Sequence, residues 1–226
     1  MITSISQPTL FPWIGYFNII KNSDVFVFLD TVKFEKHSWQ MRNRLKEISK
    51  DKETPVWIKI PTKIEKTHTP IKDVLIDNNQ KWKETHVKAF SANYGKTYDE
   101  VIFLQDLYSR EWKNLADFNI EFIINCCKFL EIPTKLVKSS ELNCIGKKGE
   151  LVLNICKKIG ATEYLTTTGA VDYLEDYRKL FDNENIRIIY HDYIHPTYRQ
   201  KGRSFLEKLS ILDLIFNEKQ NARSFI

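Results

Sequence analysis

"SISQPTLFPWIGYFNIIKNSDVFVFLD", residues 4–30, decides the fold class. The apolar run "ITSIS" (2–6) reads as a short strand that stops at Gln7-Pro8, because proline cannot serve a central strand. "FPWIGYFNIIKN" then reads as a helix with Pro12 near its first position, where a missing N–H costs nothing. "DVFVFLD" (24–30) is nearly continuous apolar sequence ending in an acid, which suits a strand buried on both faces. Strand, turn, helix and strand in so short a span predict a parallel pair joined by a helical crossover.

The same alternation returns later in the chain. "TKLVKSS", "EYLTT" and "IRIIYHDY" read as strands. "KGELVLNICKKIG", "AVDYLEDYRKLFDN" and "FLEKLSILDLIFN" read as helices, the first closed by Gly160. "PVWIKIP" (55–61) and "IKDVLID" (71–77) are further strand candidates. If "PVWIKIP" is extended, Trp57 and Lys59 share one face and Ile58 and Ile60 the other. Residues 80–93, 98–108 and 111–130 carry helical patterns. The expectation is one α/β domain over residues 1–226, with a mostly parallel, doubly wound sheet and a helical insertion at about 80–131.

Composition narrows the class. The 226 residues carry a net charge of +5, a mild basic bias that suits a local anion pocket better than a nucleic-acid track. No window reaches the apolar length of a membrane span, and no signal peptide is readable, so a cytoplasmic protein is expected. Cys126, Cys127, Cys144 and Cys156 lack metal-ligand spacing. His191 and His195 lie four apart, but Pro196 argues against a ligand helix, so no metal is expected.

In open parallel sheets, ligands bind beyond the carboxyl ends of the strands. That rule draws together the Gln7-Pro8 turn, Asp30, the loop "TTTGA" (166–170) with Gly169, and "HDYIHPTYRQ" (191–200). "DTVKFEKHSWQMRNRLK" (30–46) is the richest segment, with Lys33, Lys36, His37, Arg42, Arg44 and Lys46 around Phe34 and Trp39. Guanidinium forks grip phosphate or carboxylate, and an indole face can stack a base or sugar. The same composition also serves a solvated basic helix or loop. His195, with Tyr198 and Gln200 nearby, is the side chain best suited to proton transfer near neutral pH. No Walker, GxSxG or HExxH motif is present.

Joined together, these motifs resemble the WbqC-like family. The match lies in the QPxxxPWxGYF turn, the DVFVFLD strand, the "WQMRNR" segment, "YLTTTGAVDYL", "YIHPTYRQ" and "LSILDLIFN". The resemblance covers essentially the whole chain. It implies a role in O-antigen or related surface-polysaccharide biosynthesis, as an acyl or aminoacyl (glycyl) transferase on an amino sugar or nucleotide-linked amino sugar. Positions matching the family pattern include Gln7, Pro8, Pro12, Trp13, Gly15, Tyr16, Asp30, Trp39, Gln40, Arg42, Asn43, Arg44, Asp172, Tyr173, His195, Tyr198 and Gln200. The family loop is richer in glycine than "YLTTTGAVDYL", which counts against a phosphate-cradling role for it. The opening turn is also similar to that of nucleotidyl-transferring (HUP/Rossmann-like) enzymes, with Trp13 and Tyr16 where their HxGH motif has histidines and Gly15 in common.

On this reading Arg42 and Arg44 hold phosphates, and Trp39 or Trp13 stacks the base or sugar. His195 is the general base, with Asp30 as a second catalytic candidate. Gln7, Asn43 and Gln200 orient hydroxyls or the donor carbonyl. The expected partners are a nucleotide-linked amino sugar and an activated acyl or aminoacyl donor, with ATP or a sugar nucleotide as the cofactor-like ligand. An aminoacyl-tRNA donor is a further alternative. The competing reading is a non-catalytic sugar-nucleotide-binding or scaffold protein of a polysaccharide assembly complex.

Overall fold

The computed structural model describes residues 1–49, 52–64 and 66–226. In chain order the elements are β1 (Ile2–Ser6), α1 (Ile14–Lys21), β2 (Val25–Phe28), β3 (Arg42–Ile48), β4 (Glu53–Lys59), β5 (Thr62–Lys63) and β6 (Leu75–Ile76). There follow α2 (Trp82–Tyr94), α3 (Thr97–Glu100), α4 (Ile102–Ser109), α5 (Leu115–Phe129), β7 (Lys135–Lys138), α6 (Ser139–Leu142) and α7 (Lys148–Ile159). β8 (Glu163–Thr167), α8 (Val171–Glu175), α9 (Arg178–Asn183), β9 (Arg187–His191) and α10 (Ile211–Glu218) complete the chain. Two compact units emerge. The first is Met1–Gln7, Gly15–Thr31 and Ile132–Ile194; the second is Pro8–Ile14, Val32–Glu131 and His195–Ile226.

The first unit is the α/β part. Its five strands lie in the order β7-β2-β1-β8-β9, all neighbours parallel. Renumbered within the sheet, that order is 3-2-1-4-5, the doubly wound arrangement. β2 is buried along its whole length and β1 across its centre, as their apolar runs require when both faces are covered. Phe17 and Ile20 of α1, and Ile155 and Cys156 of α7, are fully buried. Gly149 sits under the Tyr177 ring, where an added Cβ would lie 2.3 Å from a ring carbon. Gly160 closes α7 in the left-handed region, φ 79°, with its N–H on the last turn's carbonyls.

The second unit combines α2 to α5 and α10 with two small antiparallel sheets, β3–β4 and β5–β6. Its core is aromatic. The Phe11 ring meets His86, Phe90, Phe118 and Phe122 edge-on, with the closest centroid pair 4.8 Å apart. Cys126 and Cys127 are buried on α5, and burial pushes the Cys127 thiol up to about 12, so both pack as small apolar groups.

Several expected elements differ. "RNRLKEI" is a strand, not a basic helix or loop, and it pairs antiparallel with "ETPVWIK" outside the parallel sheet. Ile58 and Ile60 are buried while Trp57 and Lys59 are exposed, as the alternation requires. "IKDVLID" is a 3₁₀ turn, Ile71–Asp73, followed by a two-residue strand. "AVDYLEDYRKLFDN" breaks into two helices at Asp176-Tyr177, and the final helix begins only at Ile211, capped by the Ser210 hydroxyl. The first helix starts at Ile14, because Phe11 takes a left-handed backbone, φ 45°.

His86 is the buried titratable group of the aromatic core. Its Nδ1 accepts from the Tyr108 hydroxyl at 2.6 Å and its Nε2–H donates to the Lys59 carbonyl at 2.9 Å, which fixes a neutral tautomer. Burial depresses its pKa to about 4. The unfolded chain takes up this proton near pH 6.5 and the folded chain does not, so the contribution is complete above that pH. It declines as pH falls through about 4, a loss on the order of 3 kcal/mol. Unfolding curves at pH 7 and pH 4 should show that decline, and His86→Gln should flatten it while lowering stability at neutral pH.

Candidate functional site

In the first unit, the strand order reverses between β1 and β8. β1 and β8 are neighbours, but their connections leave to opposite sides, β1 through α1 to β2 and β8 through α8 and α9 to β9. Beyond their carboxyl ends lie Gln7 and the segment Thr167–Gly169, a topological switch point of the kind that receives ligands in open α/β sheets. The Gln7 carbonyl accepts from the Tyr16 hydroxyl at 3.0 Å, which ties the turn to the helix that begins at Ile14. Tyr16 is otherwise a packing residue, edge-on to Phe26. Gly15 is buried within α1. Thr167, Thr168, Gly169, Asp172 and Tyr173 are exposed around the first turns after β8. His191, at the end of β9, bonds Asn18 at 2.6 Å.

Asp30, at the end of β2, is nearly fully buried and its carboxylate is already taken. It accepts from the Ser139 hydroxyl at 2.7 Å, the Ser140 hydroxyl at 2.6 Å and the Ser140 N–H at 2.9 Å. The strand's closing acid therefore caps α6, satisfying a helix-end donor that would otherwise be orphaned. A carboxylate so engaged holds two loops together rather than facing a reactant.

In the second unit, three separated motifs meet. Trp13 bridges Ser210, the Ser210 N–H donates to the Arg44 carbonyl at 2.9 Å, and Arg44 Nη2 reaches the Lys208 carbonyl at 3.4 Å. Lys208 also donates its N–H to His195 Nε2 at 3.2 Å, while His195 Nδ1–H donates to the Pro196 carbonyl at 2.8 Å. The Trp13 indole lies nearly parallel to the imidazole, 14° apart with centroids at 6.2 Å. "PWIGYF", "WQMRNR" and "YIHPTYRQ" thus converge on the main chain of Lys208 and Ser210. His195 is half-buried and both ring nitrogens are engaged by main chain. Taking a proton there requires the Lys208 N–H to let go.

On the same hairpin, Trp39 and Trp57 form an exposed pair of indoles, 48% and 47% accessible, with centroids 5.5 Å apart. The Arg42 guanidinium sits 4.3 Å from the Trp57 centroid, and Arg44 lies over both rings at 5.5 and 5.9 Å. Trp57 is the member that sequence reasoning missed. Its only signal was the outward phase of "PVWIKIP", which becomes informative once Arg44 is known to pair with it across the strands.

Other expected site residues are occupied in holding this arrangement. Asn43 is buried, gives both amide hydrogens to the carbonyls of Leu10 and Phe11 at 2.9 and 2.8 Å, and accepts the Arg44 N–H. Gln40 is buried, with its side chain accepting from the Glu35 N–H. The Pro8 and Gln40 carbonyls share the Asn119 amide. Tyr198 donates to Asp213 at 2.7 Å, and Gln200 staples the Leu206 main chain through both ends of its amide. His37 is exposed with φ 60° at the turn before Trp39.

Asn43→Ala should therefore act on stability. It leaves two buried carbonyls without their donor, a cost of about 2–4 kcal/mol. Chemical denaturation should show that loss. A variant of normal stability with impaired ligand binding would instead return Asn43 to the ligand.

The sequence profile of the WbqC-like protein family matches residues 7–225. The chain is also 31% identical over 229 residues, covering 99% of its own length and 96% of the relative's, to the uncharacterized protein Rv1507c of Mycobacterium tuberculosis (strain ATCC 25618 / H37Rv). No solved structure matches it. With its opening turn, its "WQMRNR" hairpin and its "YIHPTYRQ" segment all inside the matched span, the chain belongs to the WbqC-like protein family.

Proposed function

We propose that this protein is an acyl or aminoacyl transferase, with glycyl as the candidate group, acting on an amino sugar or nucleotide-linked amino sugar of surface-polysaccharide biosynthesis. The observation that carries the reading is the convergence of Trp13, Arg44 and His195 on the main chain of Lys208 and Ser210. It brings a flat aromatic face, a cation and an imidazole together from three distant parts of the sequence.

The chemistry required is amide formation. The sugar's ammonium must first lose a proton; its nitrogen then attacks the activated carbonyl, the C–N bond forms, and the donor's leaving group departs. His195 Nε2, once released by the Lys208 N–H, accepts the amine proton. No covalent nucleophile is assigned, so direct attack is preferred to an acyl-enzyme. The donor arrives activated, or ATP activates it.

A second reading has its own support. With both His195 nitrogens held by main chain, the side chain already has a structural role, and the protein then binds a sugar nucleotide without turning it over.

Mass spectrometry of a nucleotide-linked amino sugar incubated with glycine and ATP, or with an activated glycyl donor, separates the two. The transferase reading expects a new amide, and His195→Asn should reduce its rate by about 10²–10⁴-fold with substrate affinity nearly intact. Loss of stability and affinity together, or an unchanged rate, assigns His195 to the fold.

A further inference from the structure

We propose that the outer face of the β3–β4 hairpin is a nucleotide-binding surface, in which Trp39 and Trp57 stack the base and Arg42, Arg44 and Lys59 hold the phosphates. The register puts Arg42 directly opposite Lys59 and Arg44 directly opposite Trp57. Directly opposed residues of an antiparallel pair share a face, so these four side chains project from one side. Asn43, Leu45 and Ile58 project from the other and are buried.

Three features of that face call for an anion with a flat ring. Like charges directly opposed across strands destabilise the pair, yet Arg42 faces Lys59. Among the described residues, no carboxylate forms an ion pair with Arg42, Arg44 or Lys59, whereas Lys46 of the same strand pairs with Glu53 at 3.0 Å. The Nε of Arg44 is buried with no hydrogen-bond acceptor, and such orphaned donors require a partner. A cation over an indole also uses the ring's face and leaves the guanidinium's in-plane N–H groups for a phosphate. Half of each indole surface is meanwhile left to water, and among the described residues Tyr173 is the only other exposed large aromatic. Charge alone would suit any anion, and exposed indoles alone any sugar or ring. The two together, on one face, fit a nucleoside phosphate.

The inference rests on the proposed function only in that a nucleotide-linked substrate or ATP would be the physiological ligand. Its test reads binding without turnover. A protein that binds but shows no transfer leaves it standing, and a transferase that ignores nucleotides leaves only the transfer standing.

Calorimetric titration of the full chain should use UDP and ADP, their nucleosides, and pyrophosphate, at one ionic strength. A nucleoside diphosphate should bind at least about tenfold more tightly than either its nucleoside or pyrophosphate. Arg42→Gln should loosen it by about tenfold or more and erase its advantage over the nucleoside. Trp57→Leu should erase its advantage over pyrophosphate, and Trp57→Phe, which keeps a ring, should largely retain it. Thermal unfolding of each variant controls for folding. Pyrophosphate binding as tightly as the diphosphates, or unchanged affinity in folded Arg42→Gln and Trp57→Leu, overturns the proposal. So does a ten-nucleotide single strand that binds far more tightly than the mononucleotides with a steep salt dependence, which would make the face a nucleic-acid track.

Discussion

The second unit depends on where Phe11 is held. Its backbone is left-handed, φ 45°, immediately before Pro12, a conformation that is costly for a bulky residue. Four aromatic neighbours receive the ring, and Asn43 grips the carbonyls on either side of the unusual torsion. Because side chains alternate along β3, fixing Asn43 inward also fixes Arg42 and Arg44 outward. The same grip sets Trp13, two residues beyond Phe11, against Ser210 and His195. A buried packing decision at Phe11 therefore determines the orientation of the solvent-facing chemistry.

A comparable economy holds the first unit. The reversal of strand order at β1 and β8 sets the topological switch point through connectivity alone. What the sequence supplies there is closure of the loops around it. Asp30 takes three donors from Ser139 and Ser140, and the Tyr16 hydroxyl ties α1 to the Gln7 carbonyl. The polar residues at strand ends are thus spent on main-chain donors and acceptors that the turns would otherwise leave unpaired.

The parallel sheet was readable because its strands are short apolar runs between periodic helices, and each of "ITSIS", "VFVF", "KLVK", "EYLTT" and "RIIYH" is a strand. "RNRLKEI" was not readable. Its outward phase is Arg42, Arg44 and Lys46, its inward phase includes Asn43, and neither pattern announces a half-buried strand. Lys46 is 1% exposed because Glu53 and the Ser204 carbonyl close over it, partners over 150 residues away in one case and across a hairpin in the other. Glu53 in turn accepts from the Ser204 hydroxyl and from the Ser204 and Arg203 main chain, and these bonds hold its carboxyl well below the usual range. Such pairings are properties of the folded chain, so composition cannot separate them from a solvated basic segment.

The same ambiguity explains why the polar residues most suggestive of chemistry are so often structural. Asp213 is buried with a pKa raised by burial, yet it receives the hydroxyls of Tyr94 and Tyr198, and Gln200 completes the chain by donating to Tyr198. Every donor in that series has an acceptor, and a fully satisfied buried network fixes a fold more firmly than it serves a reactant. A binding surface has the opposite signature: cations without carboxylates, indoles left in water and a donor without an acceptor. Arg42, Arg44, Trp39, Trp57 and Lys59 carry that signature, while Asn43, one residue away from two of them, does not. Over residues 42–44 of this strand, then, the division between the side chain that holds the protein together and those left open at the surface follows the two-residue period of the backbone, while Lys46, in the outward phase, is covered by Glu53.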